Sequence, residues 1–261
     1  MNLKKKSLDL LALSSQQFSE WLQEANPIHQ KLFGRPLHAR YRSRDNAVFF
    51  RTEQYYDGDK LIGHSILFIF EMVLFDPLKG KVTNVLLTMG GGGTLSPYIG
   101  RFKVYLVVPK SMARFHLTKP RKYRQTNTFL FSPNVNPLSS YILGRHFPMV
   151  HPYPGRTNEP FEQMSRELVQ HFYPEQMESY LETGVITGPS FPLKDEKIRV
   201  QSPLLRDYMQ MHRNWQEGDR LPMICVFNLK DIVLSLLDNM KGKVTKRFRI
   251  EKRKVWKSQE E

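Results

Sequence analysis

Residues 64–75 read HSILFIFEMVLF, residues 76–80 read DPLKG, and residues 82–89 read VTNVLLTM. The outer segments are rich in Phe, Val, Ile and Leu, which fit a pleated, partly buried surface, whereas Pro and Gly favour the turn between them. This order of segments predicts a β-hairpin. An earlier segment, residues 46–56, has a similar composition and predicts another strand of the same sheet.

The segments on either side of this hairpin are interpreted from their spacing. Residues 7–25 predict a helix, because apolar residues recur at helical intervals after Ser7. Gly90–Gly93 predicts a flexible loop. Residues 101–108 predict a strand followed by a loop at 109–124, with Arg101, Lys103 and Tyr105 on one face and apolar side chains on the other.

The second half of the chain favours helices. Six prolines in residues 132–160 predict a long, irregular connection. Helices are predicted at 160–183, which has Pro at its start and Gly184 at its end, and at 203–216 and 229–241. The apolar run 221–237 predicts a core element, and residues 243–257 predict a closing strand or a basic helix.

Together these elements predict an α+β fold with a basic antiparallel β-sheet in the N-terminal half, a helical C-terminal lobe and a basic closing strand or tail. The predicted boundaries are a sheet lobe at 1–147 with an N-terminal helix, a proline-rich connection at 148–160, a helical lobe at 161–242 and a basic tail at 243–261.

The chain carries a formal net charge of +14, and its distribution is uneven. Residues 77–158 contain 12 Lys and Arg but no Asp or Glu. Because like charges repel when nothing neutralises them, such a window indicates an external anion, and a phosphate backbone is the commonest one. The predicted nucleic-acid-binding residues are Arg101, Lys103, Tyr105, Lys110, Arg114, Lys119, Arg121, Lys122, Tyr123, Arg124, Arg247, Arg249, Lys252 and Arg253.

This charge pattern favours a non-catalytic nucleic-acid-binding subunit, of RNA or DNA, within a larger nucleoprotein assembly. RNA-guided defence complexes and the DNA-handling machinery of mobile elements are analogous settings, and the helical lobe would contact other protein subunits. No cofactor and no metal are expected. One alternative interpretation is a structural protein whose basic half binds an acidic protein.

A second interpretation is a metal-independent ribonuclease. Arg206 and His212 are spaced so that they lie about two turns apart on one helix, where they would flank a scissile phosphate. His116, in the sequence His-Leu-Thr, is the other candidate acid–base residue.

The single cysteine, Cys225, lies in an apolar run and excludes an internal disulfide framework. This fits a reducing, cytoplasmic location. No stretch is long and apolar enough to predict a membrane span or membrane partner.

Overall fold

The computed structural model describes residues 2–33, 36–37, 44–95, 98, 101–102, 107–134, 136–147, 149–187 and 202–228. The strands are β1 (Leu3–Asp9), β2 (Ala47–Asp57), β3 (Lys60–Asp76), β4 (Lys81–Thr94), β5 (Thr128–Asn134), β6 (Val150–His151) and β7 (Leu221–Val226). The helices are α1 (Ser15–Phe33), α2 (Val107–Thr118), α3 (Pro137–His146), α4 (Glu159–Phe172), α5 (Met177–Thr183) and α6 (Pro203–Met211).

All seven strands form one sheet in the order β1-β2-β3-β4-β5-β7-β6. Neighbouring strands are antiparallel except for β4 and β5, which are parallel. The predicted hairpin is confirmed as β3 and β4. The Gly80 N–H donates to the Asp76 carbonyl at 2.8 Å, and Gly80 has a φ of 63°, which a residue without Cβ adopts at little cost.

The central strand β3 is buried on both faces, which explains its unbroken apolar composition. On one face Ile66, Phe68 and Phe70 pack with residues of α1 and α4. On the other face Leu67 and Ile69 pack with residues of α2. The sheet therefore lies between two layers of helices, and β4 is near its middle.

The predicted α+β class is confirmed, but two N-terminal elements differ from the prediction. Residues 7–25 are not one helix, because Leu3–Asp9 pairs with β2 and α1 begins only at Ser15. Pairing with a neighbouring strand overrides the local helical pattern. The predicted glycine loop is also wrong, since Gly90–Gly93 continues β4 and pairs with β3.

The predicted strand at 101–108 and loop at 109–124 are wrong as well. Arg101 and Phe102 lie in a turn, Lys103 and Tyr105 lie outside the described residues, and helix α2 starts at Val107. Met112 and Phe115 are buried one turn apart on this helix. The intervals between apolar residues fit a helix over 107–118, and packing against the sheet selects it.

The proline-rich stretch 132–160 is more regular than predicted, since it contains the end of β5, helix α3 and β6. Pro137 starts α3, and Asn136 caps it by accepting the Leu138 N–H at 2.7 Å. The predicted helix at 160–183 forms two helices, α4 and α5, with a break between Phe172 and Met177, and the predicted helix at 203–216 is present as α6 but ends at Met211. The predicted helix 229–241 and tail 243–257 lie outside the described residues.

The apolar run from Leu221 is confirmed as a core element over 221–227, where every residue is buried. Cys225 is fully buried there, and burial raises the pKa of its thiol. No helix among the described residues combines the length and apolarity that a bilayer crossing needs.

Replacing Phe68 with Ala tests the core. Phe68 is fully buried, with its ring centroid 4.5 Å from that of Phe50 and 4.9 Å from that of Phe70. We expect the free energy of unfolding to fall by about 3–5 kcal/mol in urea denaturation. Val73→Ala on the same strand, where the side chain is 65% exposed, is the control and should cost less than about 1 kcal/mol. Equal losses would contradict this placement of the core.

Candidate functional site

The sheet opens between its two parallel strands. β4 and β5 pair only over Leu86–Thr88 and Thr128–Leu130. Beyond these residues β4 continues beside β3 as far as Thr94, and β5 continues beside β7 as far as Asn134. The strands therefore separate toward their C-terminal ends. We call this gap, between residues 89–94 of β4 and residues 131–134 of β5, the β4/β5 opening.

Pro133 limits how far β5 can pair with β4. The Leu86 N–H donates to the Asn127 carbonyl at 2.9 Å, so odd-numbered residues of β5 face β4 in the parallel ladder. The Thr128 carbonyl faces the other way and accepts the Phe227 N–H at 2.8 Å. By the same alternation Pro133 faces β4, and proline has no N–H to donate. The ladder cannot continue through this position.

On the opposite side of the opening, the same alternation turns the backbone N–H and C=O groups of Gly90 and Gly92 toward β5. The register of β4 with β3 is continuous from Gly63 with Thr94 to Asp76 with Lys81, so no bulge reverses this direction. Among the described residues, no strand pairs with these groups. The opening thus presents an unpaired strand edge in the middle of a sheet.

The glycines also bring helix α2 close to this edge. A Cβ at Gly90 would lie 2.9 Å from the Ile66 carbonyl oxygen and 3.5 Å from Val108 Cγ2, in the first turn of α2. A side chain there would push the helix away. A Cβ at Gly91 meets no atom within 4 Å and Gly91 is exposed, so the opposite face of the edge is open space.

Two histidines lie near the open end on the α1 face of the sheet. His64 of β3 pairs in register with Gly93 of β4. Its Nε2 lies 3.2 Å from Nδ1 of His29 on α1. His64 is fully buried, and its Nδ1 has no hydrogen-bond partner within the described part of the chain, whereas His29 is only half-buried. Burial lowers the pKa of His64 to about 4, so its imidazole is neutral at neutral pH.

A second polar group stands at the end of β5. Ser132 Oγ is 2.7 Å from Asn134 Oδ1, and Asn134 Nδ2 donates to Ser140 Oγ at 3.2 Å. Ser140 Oγ in turn lies 3.2 Å from His212 Nε2. These bonds link β5, α3 and the end of α6, and they fix the wall of the opening on the β5 side.

Cations gather on α2 beside β2. Arg51, Lys110 and Arg114 line a concavity of about 160 Å³ together with one carboxylate, Glu53, and with Val107, the residue next to Val108. Lys110 and Arg114 are exposed, and Arg51 Nη2 donates to Ser7 Oγ at 3.4 Å. This basic concavity therefore begins at the helical turn that packs on Gly90.

The predicted nucleic-acid-binding residues fall into separate groups. Lys110 and Arg114 lie in the basic concavity, whereas Lys119 and residues 121–124 follow the C-terminal end of α2. Arg101 is an exposed turn residue. Lys103, Tyr105, Arg247, Arg249, Lys252 and Arg253 lie outside the described residues.

Tyr123, which the sequence placed at this surface for base stacking, is buried. Its hydroxyl donates to Glu71 Oε2 at 3.0 Å, and Lys122 Nζ lies 4.5 Å from its ring centroid. A carboxylate from outside the acid-free window thus lies next to the Arg121–Arg124 turn. The ring face is not free to stack on a base.

The ribonuclease prediction is wrong. Arg206 is exposed on α6, while His212 caps that helix in the interior and contacts Ser140. Burial lowers the pKa of His212 to about 4. The two side chains do not meet at one surface, and His116 belongs to a different helix, α2. No group of three or more metal-binding side chains occurs among the described residues.

Sequence reasoning missed the opening, Pro133 and the His29–His64 pair. One available signal was a proline next to β-favouring residues, in Phe129-Leu130-Phe131-Ser132-Pro133. The other signal was a glycine run directly after a predicted strand. Such a run fits a loop, and it fits equally well a strand edge that another backbone or a ligand approaches closely.

No protein-family model matches the sequence, and no curated protein matches it significantly. Solved structures do resemble it. A conserved protein of unknown function from Enterococcus faecalis, described as a probable N-acyltransferase, is 10% identical with a TM-score of 0.33, over 65% of this chain and 43% of its own. The matched region thus spans less than half of that protein.

Two further structures have similar descriptions. An acyl-CoA N-acyltransferase from Pseudomonas aeruginosa is 12% identical with a TM-score of 0.29, over 50% of this chain and 80% of its own. A chimeric spermidine N-acetyltransferase from Vibrio cholerae is also 12% identical, with a TM-score of 0.28, over 89% of this chain and 99% of its own.

These findings correct the functional prediction. The three solved structures are described as acyl- or acetyltransferases, and the nucleic-acid-binding subunit and the ribonuclease are both withdrawn. With TM-scores below 0.5, the likenesses carry no argument about the reaction. The function proposed below is supported by the chain's own strand order and opening.

The buried His64 predicts an acid-sensitive fold. The unfolded chain binds a proton on this side chain below about pH 6.5, whereas folded His64 stays neutral down to a pKa of about 4. The contribution of His64 to the free energy of unfolding is therefore fully present above pH 6.5. It is lost as pH falls toward 4, and the loss is about 3 kcal/mol. Urea titrations of the wild type and His64→Gln across this range should show a shallower loss in the variant. His171→Gln, at an exposed position, should keep the wild-type slope.

Proposed function

We propose that this chain is an acyltransferase that binds an acyl-coenzyme A thioester in the β4/β5 opening and transfers the acyl group to a primary amine. The observation that carries the proposal is the unpaired edge of β4 at Gly90 and Gly92, opposite Pro133. An edge of this kind, inside an otherwise continuous sheet, accepts an extended ligand in place of the missing strand pairing.

The pantetheine arm of coenzyme A matches this edge chemically. It is a narrow, extended chain that contains two amides, and amides exchange hydrogen bonds with a strand edge as a peptide does. The glycines leave room for the arm to approach the backbone closely. Buried Met89 and Phe131 provide an apolar surface beside the thioester.

The nucleotide end of the ligand would lie at α2. The first turn of this helix packs on Gly90, and its N–H groups and dipole favour an anion there. Lys110, Arg114 and Arg51 line the concavity that begins at Val107 and would neutralise phosphate charges. The basic residues that suggested a polyanion thus have a smaller anionic partner in this proposal.

The His29–His64 pair would handle the proton. In the transfer, the amine nitrogen attacks the thioester carbonyl, a C–N bond forms, the C–S bond breaks, and the thiolate of coenzyme A takes up a proton. The amine must lose one proton in this step. Half-buried His29 would accept it, and neutral His64, 3.2 Å away, would hold the His29 imidazole in position.

We keep a cytoplasmic, reducing compartment as part of the proposal. The sequence contains one cysteine, and Cys225 is buried in β7. A thioester donor with a free thiol product suits the same compartment. Contacts of the helical lobe with other protein subunits likewise remain a proposal.

Isothermal titration with coenzyme A and acetyl-coenzyme A tests the binding. We expect Gly91→Leu to weaken binding at least about tenfold, because its side chain would enter the open space beside the edge without a clash. Val82→Leu lies at the exposed start of the same strand and is the matched control. Binding that is absent in the wild type, or unchanged by Gly91→Leu, would contradict the site.

Thiol release from acetyl-coenzyme A in the presence of a panel of primary amines tests the reaction. We expect His29→Asn to lower kcat about 10²-fold or more, the usual contribution of a general base, while the affinity for acetyl-coenzyme A stays within a factor of about two. His64→Asn should lower kcat less. His171→Asn serves as the control. If kcat were unchanged in His29→Asn, another group would act as the base, although the binding proposal would stand.

A further inference from the structure

A second concavity lies at the other end of β5 from the opening. It has a volume of about 580 Å³ and begins at Thr128, the first residue of β5, whereas Pro133 and Asn134 mark the opposite end. Its volume is within the range of roughly 300–1,000 Å³ typical of small-molecule sites. None of the chemistry proposed above uses it. We call it the β5 base pocket.

One part of this pocket carries hydrogen-bond donors. Lys119 Nζ is half-buried and donates to the Thr126 carbonyl at 2.7 Å and to Thr128 Oγ1 at 3.2 Å, so its third N–H has no partner among the described residues. His116 Nε2 is buried and has no partner in the same described region. Arg124, an exposed side chain, completes the set.

Among the described residues, no carboxylate lines the pocket. Asn127 is a lining residue, and its Nδ2 donates to Asp76 Oδ2 at 2.8 Å, which ties the nearest acidic group to the wall. Asp76 is fully buried, and its Oδ1 also accepts the Leu78 N–H at 2.9 Å. A donor set with an unsatisfied buried nitrogen and no acid of its own is complementary to an anion.

The other part of the pocket is apolar. It is lined by Leu78, Met149, Val226 and Phe227. Leu78 is 40% exposed and Met149 is 41% exposed, so both side chains are accessible to a ligand in the concavity. These residues would cover a short hydrocarbon chain, and they offer nothing to a second charged group. The ligand should therefore have one anionic end and one apolar end.

The protonation states agree with a single anion. Burial lowers the pKa of Lys119 to about 8. Burial, and then the charge of Lys119, lower the pKa of His116 to about 4. At pH 7 the pocket therefore has a mostly charged Lys119, a neutral His116 able to donate or accept, and the cation Arg124.

We propose that the β5 base pocket binds a monocarboxylate with a short aliphatic chain, whose carboxylate contacts Lys119, His116 and Arg124 and whose chain lies on Met149, Val226 and Phe227. This site is separate from the acyl-transfer site, and the proposal does not depend on the proposed reaction.

Isothermal titration with octanoate tests it, and proton linkage gives a specific signature. At pH 8 about half of Lys119 is protonated, and a bound carboxylate raises its pKa again. Titrations at pH 8 in two buffers of different ionisation enthalpy should therefore show an uptake of up to about half a proton. Affinity should also fall as pH rises from 7 to 9.

Three variants separate the pocket from its surroundings. Lys119→Met keeps the aliphatic stem and should abolish proton uptake and weaken octanoate at least about tenfold. Arg124→Gln, at an exposed position, should weaken binding about threefold or more without affecting the fold. Arg121→Gln, an exposed neighbour outside the pocket, should bind like the wild type.

Two further ligands distinguish the chemistry. Octanol should bind far more weakly than octanoate, and inorganic phosphate should not displace octanoate at similar concentrations. No heat with octanoate, wild-type affinity in both Lys119→Met and Arg124→Gln, or equal binding of octanol would overturn the proposal. Displacement by phosphate would also overturn it, because the site would then select charge without an apolar chain.

Discussion

The missing N–H of Pro133 is the constraint on which the centre of this molecule depends. β5 pairs with β4 up to Leu130, and three residues further along a proline faces a position where the ladder would require a donor. A buried backbone group without a partner costs about as much as a lost hydrogen bond. The separated strands leave the edge at Gly90 and Gly92 without a strand partner among the described residues. The opening follows from backbone chemistry and not from any cluster of reactive side chains.

The two helical layers support this opening from opposite faces. On one face α2 approaches Gly90 closely because that position has no side chain, and this places the start of the helix at the strand edge. On the other face α1 supplies His29 next to His64, while Phe131 stacks on Phe172 of α4. Each strand that borders the gap is therefore fixed by its own helices, and β4 and β5 keep their positions although they no longer bond to each other. A ligand would therefore bind to a preformed edge, and the protein would lose little conformational entropy on binding.

What the sequence could predict was local. The β3–β4 hairpin was predictable because the strand-favouring runs and the Asp76–Gly80 turn are adjacent in the chain, and α4 was predictable from Pro160 at its start and Gly184 after α5. The opening was not, because it requires knowing that residues 86 and 128 are neighbours. The His29–His64 contact likewise joins residues 35 positions apart. Only the first two residues of α2 fell in the predicted strand and the rest in the predicted loop, whereas packing of Met112 and Phe115 against the sheet selects the helix.

In our proposals the cations of the acid-free window bind small anions and not a phosphate backbone. A phosphate backbone requires cations in a continuous track, yet α2 separates them: Lys110 lies near its start and Lys119 follows its end, about 13 Å further along at 1.5 Å per residue. Between the C-terminal cations, Tyr123 turns inward to Glu71. Each group lines its own concavity with different neighbours, which are Thr52, Glu53 and Ser111 for the first and apolar side chains for the second. We therefore propose two separate small anions, because each cation group then needs only the charge that its own concavity can hold.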